Sequence, residues 1–154
     1  MEINILLFVN LLLYAVIASQ SFIYMIALGN VQKNLSAAGY IELRHLLDKN
    51  FRRKNSAVVY LSLVTSTLFS ILCSTEPRSL LFISSLIAWI LLIVDVVLTL
   101  KKSMPLNDII NGWSIEEYPQ NWASYRSEWL SVFRKRQVAI TTGFISLLAG
   151  VSFG

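Results

Sequence analysis

The sequence predicts an all-α integral membrane protein, a four-helix up-down bundle whose helices extend beyond the membrane on the cytoplasmic side. Of the residues, 55% are hydrophobic and only 14% are charged, whereas a soluble domain is typically about 25% charged. Four apolar stretches are long enough to cross a bilayer as helices: residues 3–28, 56–73, 79–100 and 137–153. We expect one domain over residues 1–154, because no repeat or change of composition divides the chain.

Residues 3–28 form the first predicted span. A secretory signal is the alternative interpretation, because Val16 and Ala18 offer a cleavage site of small residues. However, the front end carries Glu2 and no basic residue, and the apolar run is longer than the core of a signal peptide. We therefore predict an uncleaved span that ends at Gly29.

Two predicted helical segments lead into the second and fourth spans. Residues 36–54 have an amphipathic pattern after Ser36, a good N-cap, and no Pro or Gly separates them from the second span. A helix lying on the membrane surface is the alternative for this segment. Residues 121–136 show the same organisation after Asn121. We expect the third span to end before Pro105, which a helix interior does not tolerate well.

The basic residues indicate the orientation. Of thirteen Lys and Arg residues, six lie between the first and second spans and six between the third and fourth, which leaves only Arg78. The positive-inside rule makes both connectors cytoplasmic, so both termini are predicted outside. Because these charges flank apolar spans, we assign them to lipid headgroups as partners and predict no nucleic-acid partner.

Asp95 is the only charged residue in the apolar run of residues 83–100. A carboxylate in hydrocarbon costs several kcal/mol by insertion scales, so it is functional or has a partner. We name it as the candidate catalytic residue, an acid that faces a cavity and handles a proton or anchors a substrate. The alternative is a structural acid bonded to Tyr, Asn or Arg on neighbouring helices.

Few other residues suggest chemistry. With one His and one Cys, the chain has no multi-histidine or cysteine-based metal site of its own, and we predict no cofactor. His45 is a candidate general base or a solvated side chain, and Cys73 is predicted to be packing. On the fourth span, Ser146 and Gly150 lie four residues apart with Gly154 next, a pattern that allows close helix packing.

The residues after the third span resemble a known family. Pro105 and Asn107, followed by Trp122, Arg126, Trp129 and Arg136, match the motifs of the DUF1772 family of four-helix membrane proteins, which includes the anthrone oxygenase-like proteins. Two positions differ, since Ser103 stands where that family has Asn and Phe133 where it has His. The resemblance implies a cofactor-free class of protein that oxidises a polycyclic phenol to a quinone.

Three functions remain open from the sequence. The first is an enzyme or binding protein for a flat hydrophobic small molecule at the cytoplasmic interface, with predicted substrate-binding residues Asn107, Trp113, Arg126, Trp129 and Arg136. The second is a non-catalytic membrane subunit or scaffold with a protein partner or a second copy of the chain. The third, a small oligomeric transporter coupled through Asp95, is disfavoured because no span is broken by Pro or Gly in its middle.

Overall fold

Four long helices pack side by side in the computed structural model, which describes residues 2–154 and the side chains from Asn4 onward. Each is long and apolar enough to cross a membrane. The helical segments in chain order are α1 (Glu2–Ile23), a first π-helical turn (Tyr24–Leu28), α2 (Gly29–Asn34), α3 (Ala37–Cys73), α4 (Leu80–Leu98), a second π-helical turn (Thr99–Ser103), α5 (Met104–Asn111) and α6 (Trp122–Phe153).

The helices form a closed antiparallel arrangement. Helix α1 contacts α3 and α6, and α4 contacts the same two helices from the opposite side. The register across α1 and α3 is antiparallel, because Asn10 accepts a hydrogen bond from Ser66 while Gln20, further along α1, donates to Asn55. Residues 35–36 join α2 to α3 and residues 74–79 join α3 to α4, and such short connections place consecutive helices as antiparallel neighbours. Residues 112–121 form the longer connection from α5 to α6.

The interior contains two apolar clusters. One, around Tyr14, Leu92 and Leu147, lies between the apolar halves of the four helices. The other, around Tyr40 and Trp129, lies where the charged residues concentrate. We call this second region the basic end: it comprises α2, residues 37–54 of α3, α5, and residues 122–136 of α6.

The small-residue face predicted on the fourth span packs against α4. Ser146 donates a hydrogen bond to the Ser84 carbonyl at 3.4 Å. A Cβ added at Gly150 would lie 2.6 Å from the Cβ of Ser84, and one at Gly154 would lie 3.0 Å from the Leu81 backbone nitrogen. The small residues therefore set the distance between α4 and α6, as predicted.

The substitution Gly150→Ala tests this packing. We expect it to lower the free energy of unfolding by about 1–3 kcal/mol, because the new methyl group must push α4 and α6 apart. Gly112→Ala is the matched control, since its Cβ would meet its nearest neighbour, the Ile109 carbonyl oxygen, at 3.4 Å, an ordinary contact. Thermal unfolding in detergent measures both, and equal stability of the two variants would contradict the close packing.

The outward faces of the helices are apolar. Large hydrophobic side chains remain 40% or more exposed along all four helices. Monomeric soluble proteins rarely expose contiguous apolar patches beyond a few hundred Å². The exposed side chains include Phe8, Leu12 and Val16 on α1, Leu61, Val64 and Leu68 on α3, Ile83, Ile87, Ile90 and Val97 on α4, and Val138 and Ile145 on α6.

Two predicted helix ends are wrong. The first helix does not end at Gly29 but continues to Asn34, and the third does not stop before Pro105 but continues to Asn111. In both places a π-helical turn precedes the expected breaker. The Gly29 N–H donates to the Tyr24 carbonyl, and the Met104 N–H, just before the proline, donates to a carbonyl five residues back. The wider turn gives the proline ring room that a straight α-helix lacks.

The predicted start of the second long helix is confirmed. The Ser36 hydroxyl accepts a hydrogen bond from the Gly39 N–H, and the helix runs without a break from Ala37 to Cys73. Asn121 precedes α6 as predicted, but its side chain makes no capping hydrogen bond.

Candidate functional site

A cavity of about 260 Å³ lies where the apolar halves of the helices meet the basic end. We call it the inner cavity. Helix α1 lines it with Gln20 and Ile23, and α3 lines it over residues 44–56. The remaining lining residues are Tyr24, Leu28, Thr99, Ser103, Met104, Asn107, Trp129, Phe133 and Arg136. The cavity is therefore lined by α1, the two π-helical turns, α3, α5 and α6.

Both π-helical turns border this cavity. The first contributes Tyr24 and Leu28, and the second contributes Thr99 and Ser103. Single-turn π-helical segments occur frequently at functional sites, because they displace the following side chains around the helix axis. Here both turns contribute side chains to the same cavity.

Arg136 and Asp95 form a buried ion pair at one side of the cavity. The Arg136 Nε–H donates to Asp95 Oδ1 at 2.8 Å, and its Nη2 donates to Oδ2 at 3.4 Å. Asp95 is 1% exposed and does not line the cavity, whereas Arg136 does. Arg136 also donates to the Ser103 hydroxyl at 3.4 Å. The carboxylate thus holds the guanidinium at the cavity wall.

A second guanidinium lies on the opposite wall. Arg44, on α3, donates to Asn107 Oδ1, which also accepts from Trp129 Nε1 at 2.7 Å. The Arg44 guanidinium carbon stands 4.0 Å above the centre of the Trp129 ring, a cation–π geometry. The Asn107 amide oxygen therefore holds the Arg44 guanidinium and also the Trp129 indole, which that guanidinium covers.

No carboxylate among the side chains from Asn4 onward forms an ion pair with Arg44. Among the described side chains, ion pairs join Arg52 to Asp48 and Asp108, and Arg136 to Asp95. Arg44 is 5% exposed, and its buried Nε–H has no hydrogen-bond partner in the part of the chain that the structure describes. Burial lowers the pKa of the Arg44 guanidinium, because the surroundings disfavour the charged form.

Aromatic rings form the wall between the two guanidinium groups. The Trp129 and Phe133 rings are stacked, with centroids 4.9 Å apart and an angle of 10° between their planes. Tyr24 packs on Phe133 with centroids 4.4 Å apart. Arg136 lies 5.4 Å from the centre of the Phe133 ring. A positive charge therefore lies against each ring of the stacked pair, Arg44 against Trp129 and Arg136 against Phe133.

Three of the predicted binding residues, Asn107, Trp129 and Arg136, line the inner cavity. Trp113 and Arg126 lie elsewhere. Trp113 packs edge-on against the Tyr125 ring, with centroids 5.3 Å apart.

Arg126 has a structural position at the end of α2. It donates to the carbonyl oxygens of Leu35 and Gln32, at 2.9 and 3.3 Å, and covers the Trp122 ring at 4.5 Å. These contacts satisfy carbonyls that a helix end leaves without partners.

Sequence reasoning missed three parts of the cavity. The predicted binding residues all lie between residues 107 and 136, whereas α3 supplies a whole wall that includes Arg44. Sequence reasoning treated Phe133 only as a departure from the family pattern, although this ring is part of the aromatic wall. Gln20 also lines the cavity, and its position there depends on the register between α1 and α3.

The remaining candidates do not reach the cavity. His45 lies beside the Ile110 carbonyl oxygen, 3.4 Å from its Nε2, and Cys73 is buried in the apolar cluster as predicted. Within residues 4–154, no three His, Cys, Asp or Glu side chains come together in a group that could hold a metal ion.

Tyr40 provides a test of packing at the basic end. It is fully buried and its hydroxyl has no hydrogen-bond partner among the described residues. Burial raises the pKa of Tyr40 from 10.0 to about 12, although Arg44 and Arg126 act in the opposite direction. Between these two values the folded chain keeps a proton that the unfolded chain loses, so stability falls as the pH rises from 10 to 12.

We expect Tyr40→Phe to remove this contribution to the pH dependence. The pKa change corresponds to about 2–3 kcal/mol, lost progressively above pH 10, whereas at pH 7 the variant should be at least as stable as the parent. Denaturant unfolding in detergent at pH 8, 10 and 11.5 compares the two chains. The same slope for both above pH 10 would show that Tyr40 is not buried as described.

Comparisons with protein-family models, with characterised proteins and with solved structures find no match to this chain. The likeness to the anthrone oxygenase-like proteins therefore stays a prediction that rests on the motif residues alone.

Proposed function

We propose that this chain is a multi-pass membrane protein that binds a flat aromatic small molecule carrying an acidic oxygen, such as a polycyclic phenol, in the inner cavity. One observation carries the proposal. A stacked aromatic surface, Trp129 on Phe133, lies beside a buried guanidinium, Arg44, that has no carboxylate partner among the described residues.

The membrane part of the proposal is supported by the outer surface. Four helices of sufficient length carry apolar side chains outward, and such faces are stable in hydrocarbon. Twelve of the thirteen Lys and Arg residues lie at the basic end or in the second π-helical turn, which holds Lys101 and Lys102. By the positive-inside rule this end is cytoplasmic and both termini lie outside.

The size and shape of the cavity favour a small flat ligand. Its volume of about 260 Å³ lies just below the usual range for small-molecule sites, roughly 300–1,000 Å³. A compact ring system fits this volume better than a peptide or a whole lipid. Trp129 and Phe133 both line the cavity, so a rigid planar molecule would meet aromatic carbon there and lose little conformational freedom on binding.

The charges favour an anionic oxygen on that ligand. Arg44 is buried without an ion pair among the described side chains, and its Nε–H has no acceptor among them. A buried charge without a partner costs several kcal/mol, and a phenolate or carboxylate oxygen would offset that cost. Arg136, held by Asp95, supplies a second positive group at the far side of the Phe133 ring.

The family resemblance agrees with this ligand class. Asn107, Trp129 and Arg136 match the family motifs and also line the inner cavity. The proposed role of Asp95 is to position Arg136, since both carboxylate oxygens accept from that guanidinium. Asn107 is proposed to position Arg44 and Trp129.

The substitution Arg44→Gln tests the proposal. We expect the affinity for 1,8-dihydroxyanthraquinone to fall about 10- to 100-fold, because a charge-assisted hydrogen bond contributes about 1.5–3 kcal/mol. Quenching of tryptophan fluorescence in nanodiscs reports binding, with unsubstituted anthraquinone as the probe that lacks an acidic oxygen.

Arg53→Gln is the matched control, because Arg53 lies on the same helix, is exposed and does not line the cavity. It should bind like the parent chain. Equal affinity of the Arg44→Gln variant and the parent, or no preference of the parent for the hydroxylated probe, would contradict the proposed site.

A further inference from the structure

A second hollow lies between the first π-helical turn and α2 on one side and α6 on the other. It has a volume of about 500 Å³ and shares Tyr24 and Phe133 with the wall of the inner cavity. We call it the outer groove. Its other lining residues are Met25, Gly29, Asn30, Lys33, Leu130, Arg134, Gln137, Val138, Thr141 and Thr142.

The outer groove is elongated along the helix axis. On α6 it extends from Leu130 to Thr142, a rise of about 18 Å at 1.5 Å per residue. The part nearer the middle of the bundle is formed by Met25 and Val138, both exposed apolar side chains. This half of the groove lies in the region that we propose to be surrounded by lipid tails.

The other half of the groove is basic. Lys33 and Arg134 line it from α2 and α6, and no Asp or Glu is among the lining residues. Neither basic side chain makes an ion pair with any side chain from Asn4 onward. Both are exposed, so their charges are available to a molecule that lies in the groove.

One polar atom in the groove wall lacks a partner. The Thr141 hydroxyl is buried and makes no hydrogen bond within the described residues. A threonine hydroxyl in a helix commonly donates to the backbone carbonyl one turn back. The Thr99 hydroxyl, for example, donates to the backbone carbonyl of Asp95. The Thr141 hydroxyl is therefore a buried polar group without an acceptor beside the groove.

We infer that the outer groove binds an anionic phospholipid, with its phosphate between Lys33 and Arg134 and one acyl chain along Met25 and Val138. Basic pockets between membrane helices on the cytoplasmic side bind anionic headgroups by the same electrostatics. The inference rests on the membrane insertion in the proposed function and does not require the aromatic ligand.

The test compares lipids that differ only in their headgroup. The chain is reconstituted with equal amounts of phosphatidylglycerol and phosphatidylcholine of identical acyl chains, and native mass spectrometry counts the lipid retained per chain. We expect one phosphatidylglycerol, retained at least tenfold over phosphatidylcholine. In the double variant Lys33→Gln/Arg134→Gln, the ratio of retained phosphatidylglycerol to phosphatidylcholine should fall by a factor of about ten to thirty.

Lys101→Gln/Lys102→Gln is the matched control, because it removes the same charge from exposed residues outside the groove. It should retain the lipid like the parent chain. Equal loss in both double variants would show diffuse attraction to charge and would overturn the groove site. Competition by soluble glycerol phosphate at the same concentration as the lipid would overturn the role of the acyl chain.

The lipid experiment separates this inference from the proposed function. A chain that does not enter the bilayer would contradict the membrane topology itself. A chain that inserts but shows no preference for phosphatidylglycerol would overturn only the lipid site. Arg44→Gln should leave lipid retention unchanged, because Arg44 does not line the outer groove.

Discussion

Asp95→Asn is expected to lower the free energy of unfolding by about 3–5 kcal/mol, because it leaves the Arg136 guanidinium buried without its counter-charge. The side chains of the pair are 2% and 15% exposed, so solvent screens the interaction little. The double variant Asp95→Asn/Arg136→Met should recover part of the loss, since it removes the charge that has no partner. Thermal or denaturant unfolding in detergent measures both.

An exposed ion pair at the basic end is the control. Arg52 and Asp108 meet at 3.0 Å, but their side chains are 39% and 60% exposed. We expect Asp108→Asn to cost at most about 1 kcal/mol, as exposed pairs usually do. If Asp95→Asn were no more destabilising than Asp108→Asn, the Asp95–Arg136 pair would not be buried as the structure describes.

Trp129→Ala is expected to have an effect of similar size, about 3–5 kcal/mol, because it empties a core position. Trp129 is 4% exposed, stacks on Phe133, lies under Arg44 and donates to Asn107. The substitution also leaves Asn107 to bind Arg44 alone. We therefore expect the variant to lose affinity for 1,8-dihydroxyanthraquinone together with stability.

Trp113→Ala is the comparison for this change. Trp113 was also a predicted binding residue, but it is only partly buried and makes an aromatic contact with Tyr125. It should cost clearly less stability and leave the affinity for the probe unchanged. A larger effect at Trp113 than at Trp129 would contradict the assignment of the aromatic wall. Unfolding in detergent and the fluorescence titration in nanodiscs provide the two readouts.

The four helices could be predicted because hydropathy is a local property of the sequence. Each of these signals depends only on residues close by in the sequence. They are the apolar runs, the N-cap at Ser36 and the short turn at residues 74–78. The two ends that were wrong, at Gly29 and Pro105, depend on π-helical turns. A Gly or Pro residue signals a change of backbone geometry. The local sequence does not show whether the helix ends there or continues through a π-helical turn.

The site could be predicted only in part, because its formation depends on the register between helices. Asn107, Trp129 and Arg136 lie on segments next to one another in sequence, and the family motif marks them together. Arg44, on α3, is 63 residues away from Asn107 in the sequence. Spacing along α3 places it on a helix face, but which neighbour that face meets follows from packing of the whole bundle.

Native mass spectrometry of the chain in nanodiscs tests the proposed function most directly. The parent chain should retain a small aromatic molecule that co-purifies with it, and Arg44→Gln should release it while Arg53→Gln does not. Chemical identification should then find an acidic oxygen on the ring. A parent chain that carries no such molecule and instead holds a second polypeptide in fixed stoichiometry would contradict a ligand-binding role and favour a structural subunit.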